Sequence, residues 1–325
     1  MTGGMTGGSM RVRAIVNPSS SGGRLGRAWP EVHAKLQAAI GEVEVALTDG
    51  PMAATRLTRA ALADGVDLVI AVGGDGTNNE VVNGFFAPPR PGEPDVRLRP
   101  EAALSVLMLG TGGDFRKSFG AGPDADAQVR QIAAGRTRPL DVGRLDYVAD
   151  SGAPASRYFI NICSFGVSGV VDREVARAKA SRLLGGKAAY FVASVTGMIK
   201  YRPQPVELVI DGGAPATYTI NTAAVCNGRY FGGGMHVAPM ADPGDGGFEV
   251  IVMRDLGLWD LLKDPSAIYR GEHLKNPKIF HVPARRVEAR PVAGAREVLL
   301  DVDGEAPGRL PATFTILPGA LGFRY

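Results

Sequence analysis

Apolar stretches recur along the first third of the chain at the spacing of alternating strands and helices. Val12 to Val16 predicts a strand, closed by the polar loop Asn17-Pro18-Ser19-Ser20-Ser21-Gly22-Gly23. Trp29 to Ile40 places its apolar residues at helical spacing. Val43 to Leu47 reads as a second strand, and Thr48-Asp49-Gly50-Pro51 starts a helix that runs to about Ala63, with proline at the first helical position. Asp67 to Val72 is a third strand. It runs into Gly73-Gly74-Asp75-Gly76-Thr77-Asn78-Asn79-Glu80, and Val81-Val82 marks the helix beyond. Phe86 to Arg99 is rich in Pro and Arg and has no period, so a surface loop is expected. Ala103 to Leu109 is a fourth strand ending in Gly110-Thr111-Gly112-Gly113-Asp114-Phe115, and residues 124–134 form a helix stopped by Gly135. This rhythm predicts a doubly wound parallel α/β domain over residues 11–140, with its ligand loops at the carboxyl ends of the strands.

After Pro139 the pattern changes. Asp141 to Val148, Tyr158 to Phe165, Val206 to Asp211, Thr217 to Asn227, Gly247 to Met253, Phe280 to Pro291, Glu297 to Val302 and Thr313 to Leu317 are strand-like. Turns such as Asp211-Gly212-Gly213 separate them. Helical stretches interrupt at roughly Gly169 to Lys200 and Leu256 to Arg270. Residues 141–325 are therefore expected to form a second, mostly antiparallel, β-sandwich-like domain. Residues 1–10 carry a glycine-rich duplication and are set aside as a disordered or tag-like tail.

Composition narrows the class. At 325 residues the chain has room for two domains, and 45% apolar content supplies ordinary cores. A formal charge of +3 is too small to argue for nucleic acid. Cys163 and Cys226 both lie in apolar strands, where buried free thiols are expected, in keeping with a reducing, cytoplasmic compartment. The longest apolar run, Ala188 to Ile199, falls short of the roughly 20 residues a membrane-spanning helix needs.

The chemistry concentrates in the glycine loop after Val72. Strand, glycine turn and helix aim backbone N–H groups at an anion, and glycine lets the backbone come close to phosphate oxygens. Asp75 has no place in a bare anion cradle, but a carboxylate beside phosphates is suited to Mg²⁺. The segment reads as a Mg²⁺-nucleotide site. It is not a P-loop, since no G-x-x-x-x-G-K-[ST] occurs, and no G-x-G-x-x-G follows a strand. Alone, the loop is also compatible with a capped tight turn, and Asp303-Gly304 is an ordinary hairpin signal.

Taken together, Gly73-Gly74-Asp75-Gly76-Thr77, Gly110-Thr111-Gly112-Gly113-Asp114-Phe115 and Asp303-Gly304-Glu305 resemble the diacylglycerol-kinase-type lipid kinases, a family that includes sphingosine and ceramide kinases. The resemblance runs over nearly the whole chain from residue 11. The first motif is shared with NAD kinases and phosphofructokinases; the combination in this order is the specific signal. The resemblance implies an NAD kinase/diacylglycerol kinase-like α/β domain joined to a β-rich lipid domain, with the active site between them. It implies ATP as phosphate donor, held by Asn17, Pro18, Ser19, Ser20 and Ser21, by Thr48, by Gly73, Gly74, Asp75, Gly76, Thr77, Asn78 and Asn79, and by Thr111. Asp75 and Asp114 would hold the catalytic Mg²⁺, Glu305 would be the general base toward a membrane-lipid hydroxyl, and Asp303 would support the metal network. In Gly232 to Gly247 a second, structural Mg²⁺ site is implied, with the Asp245 side chain and the carbonyls of Asp242 and Gly247 as ligands. The chain departs from the family at Gly113, where asparagine is usual. A peripheral position at the inner face of the membrane is expected, and a homodimer is compatible with it. An NAD-kinase-like enzyme and a lipid-binding protein with a degraded site are the alternatives.

Asp172 to Arg202 carries seven Lys/Arg against two acids, with Phe191, Val195 and Met198 on one helix face. A core-facing helix with a solvated basic side accounts for this. A sharper reading puts the helix beside a lipid pocket, against anionic membrane. His33, His236, His273 and His281 share no metal-ligand spacing, and Arg24 reads as a solvated loop residue.

Overall fold

A computed structural model describes residues 10–109, 113–180, 201–257, 260, 264 and 266–325. Strands β1 (Val12–Val16), β2 (Glu44–Leu47), β3 (Leu68–Val72) and β4 (Ala103–Leu107) alternate with helices α1 (Arg24–Ile40), α2 (Ala53–Ala63) and α3 (Asp75–Gly84). The short α4 (Asp114–Lys117) and then α5 (Ala125–Ala134) follow, α5 with Asp124 as its N-cap and Gly135 as its C-cap. The four strands pair in parallel in the order β2-β1-β3-β4. The alternation of side chains along β3 feeds two cores. Leu68, Ile70 and Val72 pack with Leu25, Trp29, Val32 and Leu36 of α1 and Val129 and Ile132 of α5. Val69 and Ala71 face the other way, onto Ala54, Ala61 and Leu62 of α2 and Val81 and Val82 of α3. The half is doubly wound, as its rhythm predicts. Helix α1 starts at Arg24 rather than near Trp29, because Gly22 and Gly23, at φ 67° and 78°, turn the chain into it and Pro30 is carried inside.

The rest of the chain is β-rich: β5 (Thr137–Ala149), β6 (Pro154–Phe159), β7 (Ile162–Gly166), α6 (Val167–Ala180), β8 (Gln204–Ile210), β9 (Ala216–Cys226) and the two-residue strands β10 (Tyr230–Phe231) and β11 (Met235–His236). Then come β12 (Phe248–Arg254), β13 (Ile279–Ala284), β14 (Arg286–Pro291), β15 (Leu300–Val302) and β16 (Gly308–Arg324). Its pairings are antiparallel, in the order β13-β12-β9-β8-β14-β16, with β7 joining β9 to β15 and β6 joining β5. Leu145, Phe159, Phe165, Val206, Phe248, Val250 and Phe314 lie in its main core. Phe159 stacks on Phe248 at 5.6 Å and Phe165 on Phe314 at 5.8 Å.

Three strands differ from expectation for physical reasons. Tyr158 to Phe165 breaks at Ile160-Asn161 into β6 and β7, because the Asp303 carboxylate takes the backbone N–H groups of Ile160, Asn161 and Ile162 at 3.1–3.3 Å. Phe280 to Pro291 breaks at Arg285 into β13 and β14, where Asp211 Oδ1 accepts the N–H groups of Arg285 and Arg286 at 2.8 and 2.7 Å. The last strand is far longer than Thr313 to Leu317. Its register shifts twice along β5, between Arg309 and Thr313 and between Leu317 and Leu321. Pro311 and the Pro318-Gly319 pair conceal these segments as one strand.

The two halves share one sheet. The first residues of β5, from Thr137, pair with Leu321 to Arg324 of β16, and Gly322 and Phe323 pair in parallel with Ala103 and Leu104 of β4. Leu321 and Phe323 belong to the core of α2 and α3.

Cys163 and Cys226 are buried free thiols, and burial pushes both well above the usual thiol range. No helix among the described residues is long and apolar enough to cross a membrane. Helix α6 covers the start of the stretch predicted over Gly169 to Lys200; Phe191, Val195, Met198 and the basic residues Arg182, Lys187 and Lys200 lie outside the described residues. Of Leu256 to Arg270, the described end, Ser266 to Arg270, is turns rather than helix, leading into a 3₁₀ turn at Glu272–Lys275.

Candidate active site

In the order β2-β1-β3-β4 the winding reverses between β1 and β3, and a crevice opens at the carboxyl ends of these two strands. Asn17 follows β1 directly. Its N–H bonds to Val72 O at 2.9 Å, its Oδ1 accepts the Ser19 N–H at 3.1 Å, and its Nδ2 donates to Thr77 Oγ1 at 3.2 Å. One side chain thus ties the first loop to the glycine loop. Gly74 stands at the N-cap of α3 with no side chain to satisfy the first turn, so the N–H groups at the start of α3 remain available to an anion. An open cleft lies here, lined by Asn17, Ser20, Thr48, Gly50, Ala54, Gly74, Gly76, Thr77, Glu80 and Glu305.

Glu305 arrives from the other half. Asp303 and Gly304, at φ 49° and 87°, form a two-residue turn in which Val302 and Glu305 exchange backbone hydrogen bonds of 2.7 and 3.0 Å. Asp301 Oδ1 accepts the Gly304 N–H at 2.9 Å. The turn brings Glu305 up to the first turn of α3, its Oε1 3.4 Å from the point a Cβ on Gly76 would occupy. Arg157 of β6 donates through Nη2 to Glu305 Oε2 at 3.0 Å and also to Asn79 Oδ1. The hairpin turn at Asp303-Gly304 is thus what delivers Glu305 to the cleft.

Asp75 opens α3, and its carboxylate accepts the N–H groups of Gly113, Asp114 and Phe115 at 3.2, 3.5 and 3.5 Å. Burial first, and then the charges of Asp114 and Asp303, push Asp75 up to about 6. Such an anionic group, with only long hydrogen bonds, fits a divalent cation between it and phosphate oxygens. Asp114 is nearly buried and its oxygens are already engaged: Oδ1 with the Lys117 ammonium, Oδ2 with the Gly233 N–H at 2.7 Å. It stands near enough to Asp75 for its charge to raise that carboxylate, with both of its own oxygens already hydrogen-bonded.

Several expected contacts fall elsewhere. Asn78 and Asn79 are buried, turned by α3 away from the cleft. Asn78 Nδ2 meets Met108 Sδ at 3.1 Å, and Asn79 Nδ2 donates to Tyr158 O at 3.0 Å and Asp303 Oδ2 at 2.8 Å. Asn79 thereby joins α3 to β6, and Asn78 ties α3 to the residue that follows β4. Asp303 likewise spends both oxygens on Asn79 and three backbone N–H groups, so it is a clamp between the halves rather than part of a metal network. Burial still pushes it up to about 6. Pro18, Ser19 and Ser21 shape the first loop without lining the cleft; Pro18 O accepts the Gly26 N–H at 3.2 Å and Ser21 sits at φ 56°. Gly73 is off the wall too, its open side filled by Thr77. Thr111 lies outside the described residues.

In the second metal segment, the Asp242 carbonyl accepts the N–H groups of Gly244 and Asp245 at 2.7 and 3.2 Å, and Asp245 Oδ1 accepts the Gly247 N–H at 3.0 Å. Arg138 pairs with the Asp242 carboxylate. Burial, helped by the Asp242 and Asp141 charges, raises Asp245. One carboxylate with carbonyls suits a hard cation, and here Asp245 Oδ1 and the Asp242 carbonyl also accept backbone N–H groups of the same loop. Among the described residues no three His, Cys, Asp or Glu side chains gather as a metal cage.

Sequence reasoning missed Arg157, Glu80 and Lys117. Glu80 accepts the N–H groups of Met52 and Ala54 at 2.9 and 3.0 Å, capping α2 while lining the cleft. Arg157 is defined by a partner distant in sequence and Glu80 by the neighbouring loop it caps, whereas the i,i+3 spacing of Asp114 and Lys117 was a local signal.

Residues 11–145 match the family model of the diacylglycerol kinase catalytic domain, and residues 161–324 match that of the YegS C-terminal NAD kinase beta sandwich-like domain. The chain belongs to the diacylglycerol kinase family and is a kinase. It is 29% identical over 305 residues to a diacylglycerol kinase of Staphylococcus carnosus, covering 94% of this chain and 91% of that one. A solved Bacillus anthracis protein described as a diacylglycerol kinase superposes with a TM-score of 0.73 at 26% identity, over 97% of both chains. Yeast NADH kinase, solved with NADH, shares the fold alone: TM-score 0.51 and 13% identity over 97% of this chain and 83% of that one. The crevice at the carboxyl ends of β1 and β3 is thus lined by Asn17, Thr48 and Gly74 from one half and by Glu305 from the other.

Proposed function

We propose that this kinase uses ATP and Mg²⁺ to phosphorylate a hydroxyl of a membrane lipid, diacylglycerol or a related lipid. The observation that carries the reading is the meeting of Glu305 with Gly76 at the N-terminus of α3. A general-base carboxylate is thereby aimed at the place where backbone N–H groups would hold a phosphoryl group. Asn17, Ser20, Thr48, Gly74, Gly76 and Thr77 would hold the nucleotide. Asp75 would hold Mg²⁺, which when bound offsets the charge on the phosphates. Glu305 takes the proton of the lipid hydroxyl as its oxygen attacks the γ-phosphorus; the β–γ bridge breaks, leaving ADP and a phosphorylated lipid. Arg157 fixes the carboxylate during this step. The acceptor places the enzyme at the membrane surface, with peripheral contact rather than insertion.

The test is ATP with diacylglycerol, ceramide, sphingosine and phosphatidylglycerol in mixed micelles, with NAD as a soluble acceptor. Labelled phosphate on a lipid, dependent on Mg²⁺, is expected. Phosphate on NAD alone would replace this reading with an NAD-kinase-like one, and no transfer to any acceptor would favour a binding protein. For the membrane arm, vesicle sedimentation at low salt should show more binding to anionic than to neutral vesicles. Equal binding removes the electrostatic contribution.

A further inference from the structure

We propose that Arg116 is the positioning residue of the Asp75 loop, its guanidinium holding the space beside Gly113 that a side chain at 113 would fill. Arg116 lies in α4 and is 4% exposed. Its Nε donates to Gly122 O at 3.1 Å, an oxygen that Gln128 Nε2 also reaches at 3.0 Å. Its Nη1 lies 3.4 Å from Gly113 O. One planar side chain therefore links both ends of the turn from 113 to 122.

A Cβ on Gly113 would stand 2.6 Å from Arg116 Nη1, 3.2 Å from its Cζ and 3.3 Å from Met108 Cβ. An exposed arginine would swing clear at little cost. A buried one cannot move without giving up its hydrogen bonds to Gly122 O and Gly113 O, which is costly. Gly113 sits at φ 74°, a left-handed conformation that asparagine also tolerates. The space taken by Arg116, more than backbone shape, thus reserves this position for glycine.

The pair matters because the N–H groups of Gly113, Asp114 and Phe115 all face the Asp75 carboxylate. A shift of Gly113 by a few tenths of an ångström re-aims Asp75. Arg116 acts through that carboxylate and does not itself touch substrate. The inference rests on the reading of this loop as the phosphate-holding side of the cleft.

A double-mutant cycle decides it, using Gly113→Asn, Arg116→Ala and the double variant in the full chain. Two quantities are read: affinity for Mg·ATP by calorimetry, and the thermal unfolding midpoint. Each single change is expected to weaken ATP binding about tenfold or more, as lost hydrogen bonds to a charged group do. The double variant, with an asparagine amide in the vacated space, is expected within about threefold of the unaltered protein, since contacting residues couple. Additive losses, or a harmless Gly113→Asn, overturn the proposal. Coupled melting temperatures with unchanged ATP affinity in Arg116→Ala would leave Arg116 a structural residue only. If Arg116→Ala does not fold, Arg116→Gln, which keeps one amide donor, takes its place in the cycle under the same criteria. An unaltered protein that binds no ATP defeats the nucleotide reading instead, and additive melting shifts would then still overturn the coupling of 113 and 116.

Discussion

Arg157 Nη2 lies 3.0 Å from Glu305 Oε2 and donates as well to Asn79 Oδ1, so one guanidinium on β6 connects the proposed base to the helix that begins at Asp75. Arg157→Ala is expected to lower kcat by roughly 10- to 100-fold, the cost of losing a charge-assisted hydrogen bond, with the KM for ATP within about threefold. Arg157→Lys should recover only part, because an ammonium lacks the planar fork. Steady-state kinetics on the two variants check this; a KM effect without a kcat effect would assign Arg157 to binding.

Glu305→Gln keeps the shape of the side chain and removes its basicity. Turnover should fall by roughly 10²-fold or more, with calorimetric ATP affinity preserved. Full turnover in this variant would take Glu305 out of its role.

Asp75 carries a pH-dependent cost in the metal-free protein. Its folded pKa, about 6, lies above the ordinary aspartate value near 3.9, so the native state binds the extra proton. The stability associated with the protonated form is present below about pH 4 and is lost as pH rises through about 6. Asp75→Asn should therefore melt about 2 °C or more above the unaltered protein at pH 7.5 without Mg²⁺, and equal it near pH 4. It should also be inactive. A lower melting temperature at pH 7.5 would contradict the burial argument.

Asp303 satisfies three backbone N–H groups and the Asn79 amide in a buried setting. Asp303→Ala should lower the melting temperature by roughly 5–10 °C, at about 1–3 kcal/mol for each orphaned donor and partial relaxation. ATP binding at low temperature should survive. Loss of Mg²⁺ dependence without a melting change would return Asp303 to the metal network.

Local pattern carried most of the first half. The alternation in Leu68–Val72 and the glycine loop after it are short-range signals, and the parallel sheet and its crevice follow from them. What stayed hidden depends on partners far away in sequence. Nothing near Tyr158 or Phe165 announces that a carboxylate at 303 will take the backbone donors between them. Asn78 and Asn79 adjoin the right motif, yet the turn of α3 points them inward. A resemblance read along a line of residues does not distinguish those facing the cleft from those facing the core. Glu305 was legible only through its motif; its meeting with Gly76 needed the fold.

The closing strand β16 sets the order in which this enzyme can be made. The nucleotide-binding half leaves the ribosome first, yet β4 has no neighbour on its β16 side until Gly322 and Phe323 arrive. Phe323 also packs on Phe115 at 5.6 Å and Phe119 at 4.3 Å. Until then this half has an exposed sheet edge and an unfilled aromatic pocket, the kind of surface that invites aggregation or chaperone binding. Its folding is completed only after β16 has been synthesised, so the crevice that would hold the nucleotide and the base that would use it mature together.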